Sequence, residues 1–285
     1  MLDDASLPLQ RSEGRLELHV GKREQQTVLS HLFQEGCLQA RFPKDLGQGP
    51  KNGILINTAG GIADGDKLHT KIHVAEGAFL ALTSQAAERI YRARDMHNPA
   101  CLTTELTLEN EASLYWLPQE TIVFDQSAVE RHFQVDMAAD ASFMGCEMVV
   151  LGRTAMGEKV RACNFFDRWH FRRDGKLVFA DAFRLEGDVD NFRGQAQLGK
   201  TVTYASFFYV GNKAGDMLET LRPIIASCAD VVGGCSQRHD LITARFATNN
   251  AQALRKLLAE VISVCDLQIT GNNHAADAIL PRWIF

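Results

Sequence analysis

Carboxylates recur where this sequence turns. Asp64 and Asp66 lie in Gly60-Gly61-Ile62-Ala63-Asp64-Gly65-Asp66, Glu120 and Asp125 in the segment 117–125, and Glu147 and Glu158 on either side of Leu151-Gly152-Arg153. Such groups move protons or bind hard divalent cations in transit, although Asp-Gly at a hairpin is also ordinary turn chemistry. No nucleophile elbow, HExxH or deaminase HxE…PCxxC pattern accompanies them, so their spacing identifies no enzyme.

Three other constellations invite a chemical reading. Gly194-Gln195-Ala196-Gln197-Leu198-Gly199-Lys200-Thr201 fits the phosphate-binding string GxxxxGK[ST] letter for letter. A phosphate cradle needs an apolar strand before it and a helix starting at its lysine. Here the lead-in, 185–193, is polar and acidic, and the continuation, 201–210, has strand composition, so nucleotide binding is not expected. His69 and His73 have the HxxxH spacing that gathers zinc on a helix. Their neighbours alternate as in a strand, which would hold the two rings roughly 13 Å apart at about 3.3 Å per residue, and a solvated strand face fits better. Cys228, Cys235 and His239 are close in sequence, with Gly233-Gly234 able to fold a loop between them. Cys228 falls on an apolar helical stripe, where a free thiol acts as a small hydrophobe, and the spacing matches no standard zinc ribbon. A metal- or nucleotide-dependent enzyme built on the Gly194–Thr201 string or on the Cys228, Cys235 and His239 cluster is the competing functional class.

The elements that must position these groups are mostly strands. Residues 15–20 alternate Leu16, Leu18 and Val20 with Arg15, Glu17 and His19, the period of a half-buried strand. Alternation or β-branched and aromatic enrichment marks further strands at 53–58, 67–74, 78–84, 101–108, 113–117, 129–137, 142–151, 165–172, 177–185 and 201–210. Turn signals such as Asn52-Gly53, Glu76-Gly77 and Asp174-Gly175 separate them and leave no room for crossover helices, which disfavours a doubly wound sheet. Helical spacing appears late: Ala253, Leu254, Leu257, Leu258, Val261, Ile262 and Cys265 form one stripe behind an Asn250 cap. A second helix is expected over 215–229, with Pro223 near its start or bending it. No linker, charge block or repeat divides the chain, so a single domain over 1–285 is expected.

Composition bounds the function. With 285 residues, 46% of them hydrophobic, the chain can bury a core without disulfides or structural metal. Thirty basic against 35 acidic residues give a net charge of −5, without the positive field that nucleic acid or anionic lipid requires. No run of about 18–20 apolar residues offers a membrane span. The first residues are acidic and polar where a signal peptide would be basic and then apolar, and seven scattered cysteines form no CxxC, which together point to the cytoplasm.

Four blocks carry a family resemblance: Asn57-Thr58-Ala59-Gly60-Gly61-Ile62-Ala63-Asp64-Gly65-Asp66, Thr83-Ser84-Gln85-Ala86-Ala87-Glu88-Arg89-Ile90-Tyr91-Arg92, Trp116-Leu117-Pro118-Gln119-Glu120-Thr121-Ile122-Val123-Phe124-Asp125, and Leu151-Gly152-Arg153-Thr154-Ala155-Met156-Gly157-Glu158. In order and spacing they resemble the urease accessory protein UreD (UreH) family, with weaker likeness from Arg41-Phe42-Pro43 to Leu280-Pro281-Arg282-Trp283-Ile284-Phe285. The resemblance implies a mainly β, β-helical or solenoid-like fold with about two helices in the C-terminal third. It also implies a non-enzymatic maturation chaperone that acts with UreF and the GTPase UreG on apo-urease, with a dimer of the accessory complex as one expected arrangement. Nickel would then be cargo passing through an internal route, with no tightly bound cofactor. Weak carboxylate and carbonyl coordination suits transfer better than a closed Cys/His site, which makes Asp64, Asp66, Glu120 and Glu147 the expected route residues. The tail Trp283-Ile284-Phe285 is either a contact for UreF or part of the chain's own core.

Overall fold

In the computed structural model the described residues are 10–44, 49–153, 156–194 and 197–283. Thr154 and Ala155 of the fourth block, Gln195 and Ala196 of the glycine-lysine string, and Ile284 and Phe285 of the tail lie outside them. Strands are numbered along the chain. A seven-stranded sheet contains β1 (Glu13–Arg23), β2 (Gln26–Gly36), β5 (Lys67–Val74), β8 (Ala100–Leu108), β11 (Ala128–Met137), β13 (Ala162–Arg173) and β14 (Lys176–Asp188). A second sheet contains β3 (Leu38–Arg41), β4 (Lys51–Asn57), β6 (Phe79–Ser84), β7 (Glu88–Ile90), β9 (Ser113–Trp116), β10 (Thr121–Val123), β12 (Ser142–Leu151), β15 (Thr203–Val210), β16 (Val232–Arg238) and β17 (Leu241–Thr248).

From β4 to β13 the chain passes repeatedly from one sheet to the other. Neighbours in the first sheet, β1, β5, β8, β11 and β13, are therefore parallel, as are β4, β6, β9 and β12 in the second. Short turns suffice because each one changes sheets instead of returning to the same one. Gly77 sits in such a turn at φ +64°, a conformation that glycine adopts without a Cβ clash. The edges close antiparallel, through β1–β2 and β13–β14 in the first sheet and β12–β15–β17–β16 in the second.

Of two long helices, α1 (Ala214–Ser227) lies between β15 and β16 and α2 (Ala251–Thr270) follows β17, with a short α3 (His274–Ala278) after it. The Asn250 side chain caps α2 by accepting from the Ala253 N–H at 3.0 Å, and Gly271 ends it at φ +73°. Pro223 lies inside α1, neither at its start nor outside it. The Gly233-Gly234 pair, expected as a loop, runs along edge strand β16.

The apolar stripes of α1 and α2 cover the outer face of the second sheet, so that sheet is buried on both sides. This explains why all ten residues of β12 are buried. Met144, Cys146, Met148 and Val150 pack toward the helices, while Phe143, Val149 and Leu151 face the first sheet. Trp283 joins the helical cluster, its indole N–H between Leu117 O at 3.2 Å and Thr83 Oγ1 at 3.3 Å. For Trp283, core packing is the outcome. All seven cysteines are free thiols, and no described helix is long and apolar enough to cross a membrane.

Candidate functional site

Between the sheets the apolar interior splits into two clusters, and on three strands the residue that separates them is charged. On β11, Arg131 stands between Val129 and Phe133; on β13, Asp167 stands between Phe165 and Trp169; on β12, Glu147 stands between Phe143 and Val149. Alternation aims all three at the interior. Arg131 Nη1 donates to Glu147 Oε1 at 2.6 Å and Nη2 to Asp167 Oδ2 at 2.7 Å, so one guanidinium ties the two sheets together. Thr121 Oγ1 accepts from Arg131 at 3.0 Å and donates to Glu147 Oε1 at 3.1 Å, and Trp169 Nε1 donates to Asp167 Oδ2 at 3.0 Å. The guanidinium also lies over the Phe165 ring, 4.9 Å from its centroid.

A buried charge survives only when paired and hydrogen-bonded. Burial alone would favour deprotonating Arg131, but Asp167 and Glu147 more than offset it. Burial raises Glu147 above the ordinary carboxylate range and Asp167 raises it further, while Arg131 and the Thr121 hydroxyl pull it back. Burial likewise raises Glu88, against hydrogen bonds from Asn57 and the Arg89 N–H. The Tyr204 phenol is pushed far up by burial and by Asp167, and its buried oxygen has no hydrogen-bond partner among the described residues.

Two cavities meet at this cluster. One, of about 370 Å³, is bounded by Glu88, Thr121 and Arg131; the other, of about 700 Å³, by Tyr204, Asp181 and Arg245. Glu147, Asp167 and Trp169 belong to the walls of both. Glu88, Glu147 and Asp167 thus line the first cavity together with the Arg89 and Arg131 guanidiniums, so its wall offers both oxygen donors and fixed positive charge.

Of the four expected route carboxylates, Glu147 alone lines these cavities. Asp64 accepts from Arg11 Nη2 at 2.6 Å and from the Arg94 N–H at 3.2 Å. Asp66 accepts from the Ser12 and Ala63 N–H groups at 2.7 and 2.8 Å, the turn chemistry its sequence allows. Glu120 pairs with Arg255 of α2. Asp125 accepts from the Arg161 and Ala162 N–H groups, and Glu158 pairs with Arg153. These groups organise turns and element contacts. Glu88, Arg131 and Asp167 were not singled out from sequence, although each charge breaks the apolar phase of its strand.

The remaining motifs resolve as local structure. The 194–201 string follows a 3-10 turn at Val189–Phe192 and leads into β15, without the helix that a phosphate cradle needs. His69 and His73 share the outer face of β5, each with its own carboxylate, Glu105 at 3.3 Å and Glu109 at 2.9 Å. Cys228 caps the end of α1, Cys235 lies on β16 and His239 occupies the turn after it. Among the described residues no group of three or more His, Cys, Asp or Glu side chains is placed to hold a metal ion.

Comparison with known proteins covers nearly the whole chain. The family model described as UreD urease accessory protein matches residues 12–281. Urease accessory protein UreD of Rhodopseudomonas palustris (strain HaA2) is 38% identical, over 99% of this chain and 96% of its own length. That of Rhizobium rhizogenes (strain K84 / ATCC BAA-868) is 37% identical over 91% and 93% respectively. Urease accessory protein UreD 1 of Bradyrhizobium sp. (strain ORS 278) is 36% identical over 88% and 89%. With residues 12–281 matched and relatives of this similarity aligned over most of both chains, the protein belongs to the UreD urease accessory protein family.

Proposed function

We propose that this chain is a non-catalytic accessory protein of urease maturation that, with UreF and the GTPase UreG, assembles on apo-urease in the cytoplasm and assists nickel incorporation. The observation that carries the reading is the family match over residues 12–281. The interior supports the finer part. Two cavities share a wall containing Glu147 and Asp167, and hard carboxylate oxygens of this kind hold a borderline metal less tightly than a closed soft-ligand set would. Nickel is cargo on this route, exchanging with Arg131 for carboxylate oxygens on its way. Asp64, Asp66 and Glu120 lie off the cavity walls, and Glu147, Asp167 and Glu88 are the route residues this reading favours.

The test is urease activation in a host carrying the other urease structural and accessory genes, with and without this chain, scoring activity and the nickel content of purified urease. Both should be lost without the chain and restored by it. Unchanged nickel and activity in a host with no other UreD would overturn the maturation role. Restoration by a Glu147→Gln, Asp167→Asn variant as complete as by the wild type would remove the route while leaving the accessory role.

A further inference from the structure

The outer face of the first sheet carries a histidine arrangement that the interior reading does not use. His19 on β1 is in register with His31 on β2 and with His73 on β5. Residues directly opposite on neighbouring strands share a face, so the three imidazoles form a row. Their ring centroids are 4.9 Å apart for His19 and His31, and 5.3 Å for His19 and His73. Leu18 and Val20, on either side of His19, are buried toward the second sheet, which places the histidines outward. The His31 and His73 side chains remain 48% and 33% exposed, open to a solute.

The spacing suits metal chelation. Two imidazoles bound to one first-row cation, with nitrogens about 2.0–2.1 Å from it, place their ring centroids roughly 4.5–5.2 Å apart. Both pairs sit at or beside that separation. A held carboxylate stands behind one of them: Glu109 Oε1 is 2.9 Å from His73 Nε2, and its Oε2 accepts from the Glu76 N–H at 2.9 Å. With a proton on Nε2 toward Glu109, the His73 Nδ1 lone pair is free for a metal, the usual arrangement behind a ligating histidine. Glu17 Oε2 lies 3.9 Å from His31 Nε2. Lys71, on the same face of β5 beside this group, opposes added positive charge and favours weak binding.

We propose that this row is an open exchange site for one borderline divalent first-row cation, Ni²⁺, Cu²⁺ or Zn²⁺, held by His19 together with either His31 or His73 and completed by water. Neutral imidazole selects these ions over Mg²⁺ and Ca²⁺. The site is separate from the interior carboxylates, which point to the opposite face of the first sheet, and it stands whether or not those carboxylates carry nickel.

Sharing His19 gives the site a distinctive mutational pattern. The untagged full chain is titrated calorimetrically with NiCl₂, with MgCl₂ as the hard-cation control. One equivalent of Ni²⁺ binding, unaffected by Mg²⁺, is expected. His19→Gln leaves His31 and His73 two strands apart, roughly 10 Å, and lowers the affinity of that equivalent by about tenfold or more, the loss of a chelate partner. His31→Gln or His73→Gln leaves one pair intact and lowers it only about twofold, whereas the His31→Gln, His73→Gln double variant matches His19→Gln. Glu147→Gln leaves this equivalent unchanged. Cu²⁺ electron paramagnetic resonance gives a second readout, with coupling to two imidazole nitrogens in the wild type and one in His19→Gln. Absence of the equivalent in the wild type, undiminished affinity in His19→Gln, or its loss in Glu147→Gln would each overturn the proposal.

Discussion

Replacing Arg131 by Met would leave Glu147 and Asp167 facing one another across the interior with no positive charge between them. Breaking a buried pair from one side costs about 3–5 kcal/mol, so Arg131→Met should lower the denaturant midpoint by a corresponding amount. Adding Glu147→Gln should recover part of the loss, because it removes one of the two stranded charges. A loss under about 1 kcal/mol would mean that water in the cavities already screens the carboxylates as it would at a surface. The signal for this cluster was present in the sequence as a fault in period. Arg131 falls in phase with Val129, Phe133 and Val135, and Asp167 with Phe165, Trp169 and Phe171. Glu147 is the one charge in a strand buried along its whole length. Reading carboxylates at turns found Asp64 and Asp66, whose oxygens satisfy local N–H groups and an arginine, because turns and cation sites ask for the same residue types. The histidine row was hidden for another reason: HxxxH spacing follows one strand, whereas His19, His31 and His73 are neighbours only through cross-strand register.

At the level of elements, α2 is tied to the second sheet and to α3 by one buried carboxylate. Asp266 accepts from the Tyr115 hydroxyl at 2.9 Å and from the Ala275 N–H at 2.6 Å. Asp266→Ala strands both donors in the core, and at about 1–3 kcal/mol for each unsatisfied group should destabilise the protein by about 2–6 kcal/mol in equilibrium unfolding. Asp266→Asn, which keeps one acceptor oxygen, should cost less. Equal losses in the two variants would show that packing and not hydrogen bonding carries the effect. Long periodic elements were the legible ones. β5 and β12 have the expected bounds, and α2 begins at its expected cap before running on to Gly271. The strands without an expected counterpart include β2 and β16, which lie at sheet edges with largely exposed side chains and so lack a clean alternation. β17 likewise has no expected counterpart, lying directly before the stronger helical pattern of α2.

For the molecule as a whole, the buried carboxylates set an unusual pH response. Burial is the leading cause that raises Glu88, Glu147 and Asp266 above their ordinary values. A raised carboxylate binds more protons in the folded state, so its destabilising effect is absent below the ordinary carboxylate range and sets in as pH rises through that range toward its folded value. Glu88→Gln should therefore be more stable than the wild type at neutral pH, with the difference closing as pH falls into the carboxylate range. Chemical denaturation at several pH values would show it, and a difference independent of pH would exclude ionisation as the cause. Strand content and the late helices could be read from period alone, but the order of strands in each sheet could not, because alternate sheet visits leave no mark on local pattern. That winding has a consequence for biosynthesis. Trp283 reaches back 200 residues to Thr83 and 166 to Leu117, and Asp266 reaches back 151 to Tyr115. α2 and Trp283 thus leave the ribosome after the strands they cover, and until they emerge, a nascent chain that has built its sheets lacks their cover over the apolar face that carries Tyr115, Met144, Cys146 and Phe207.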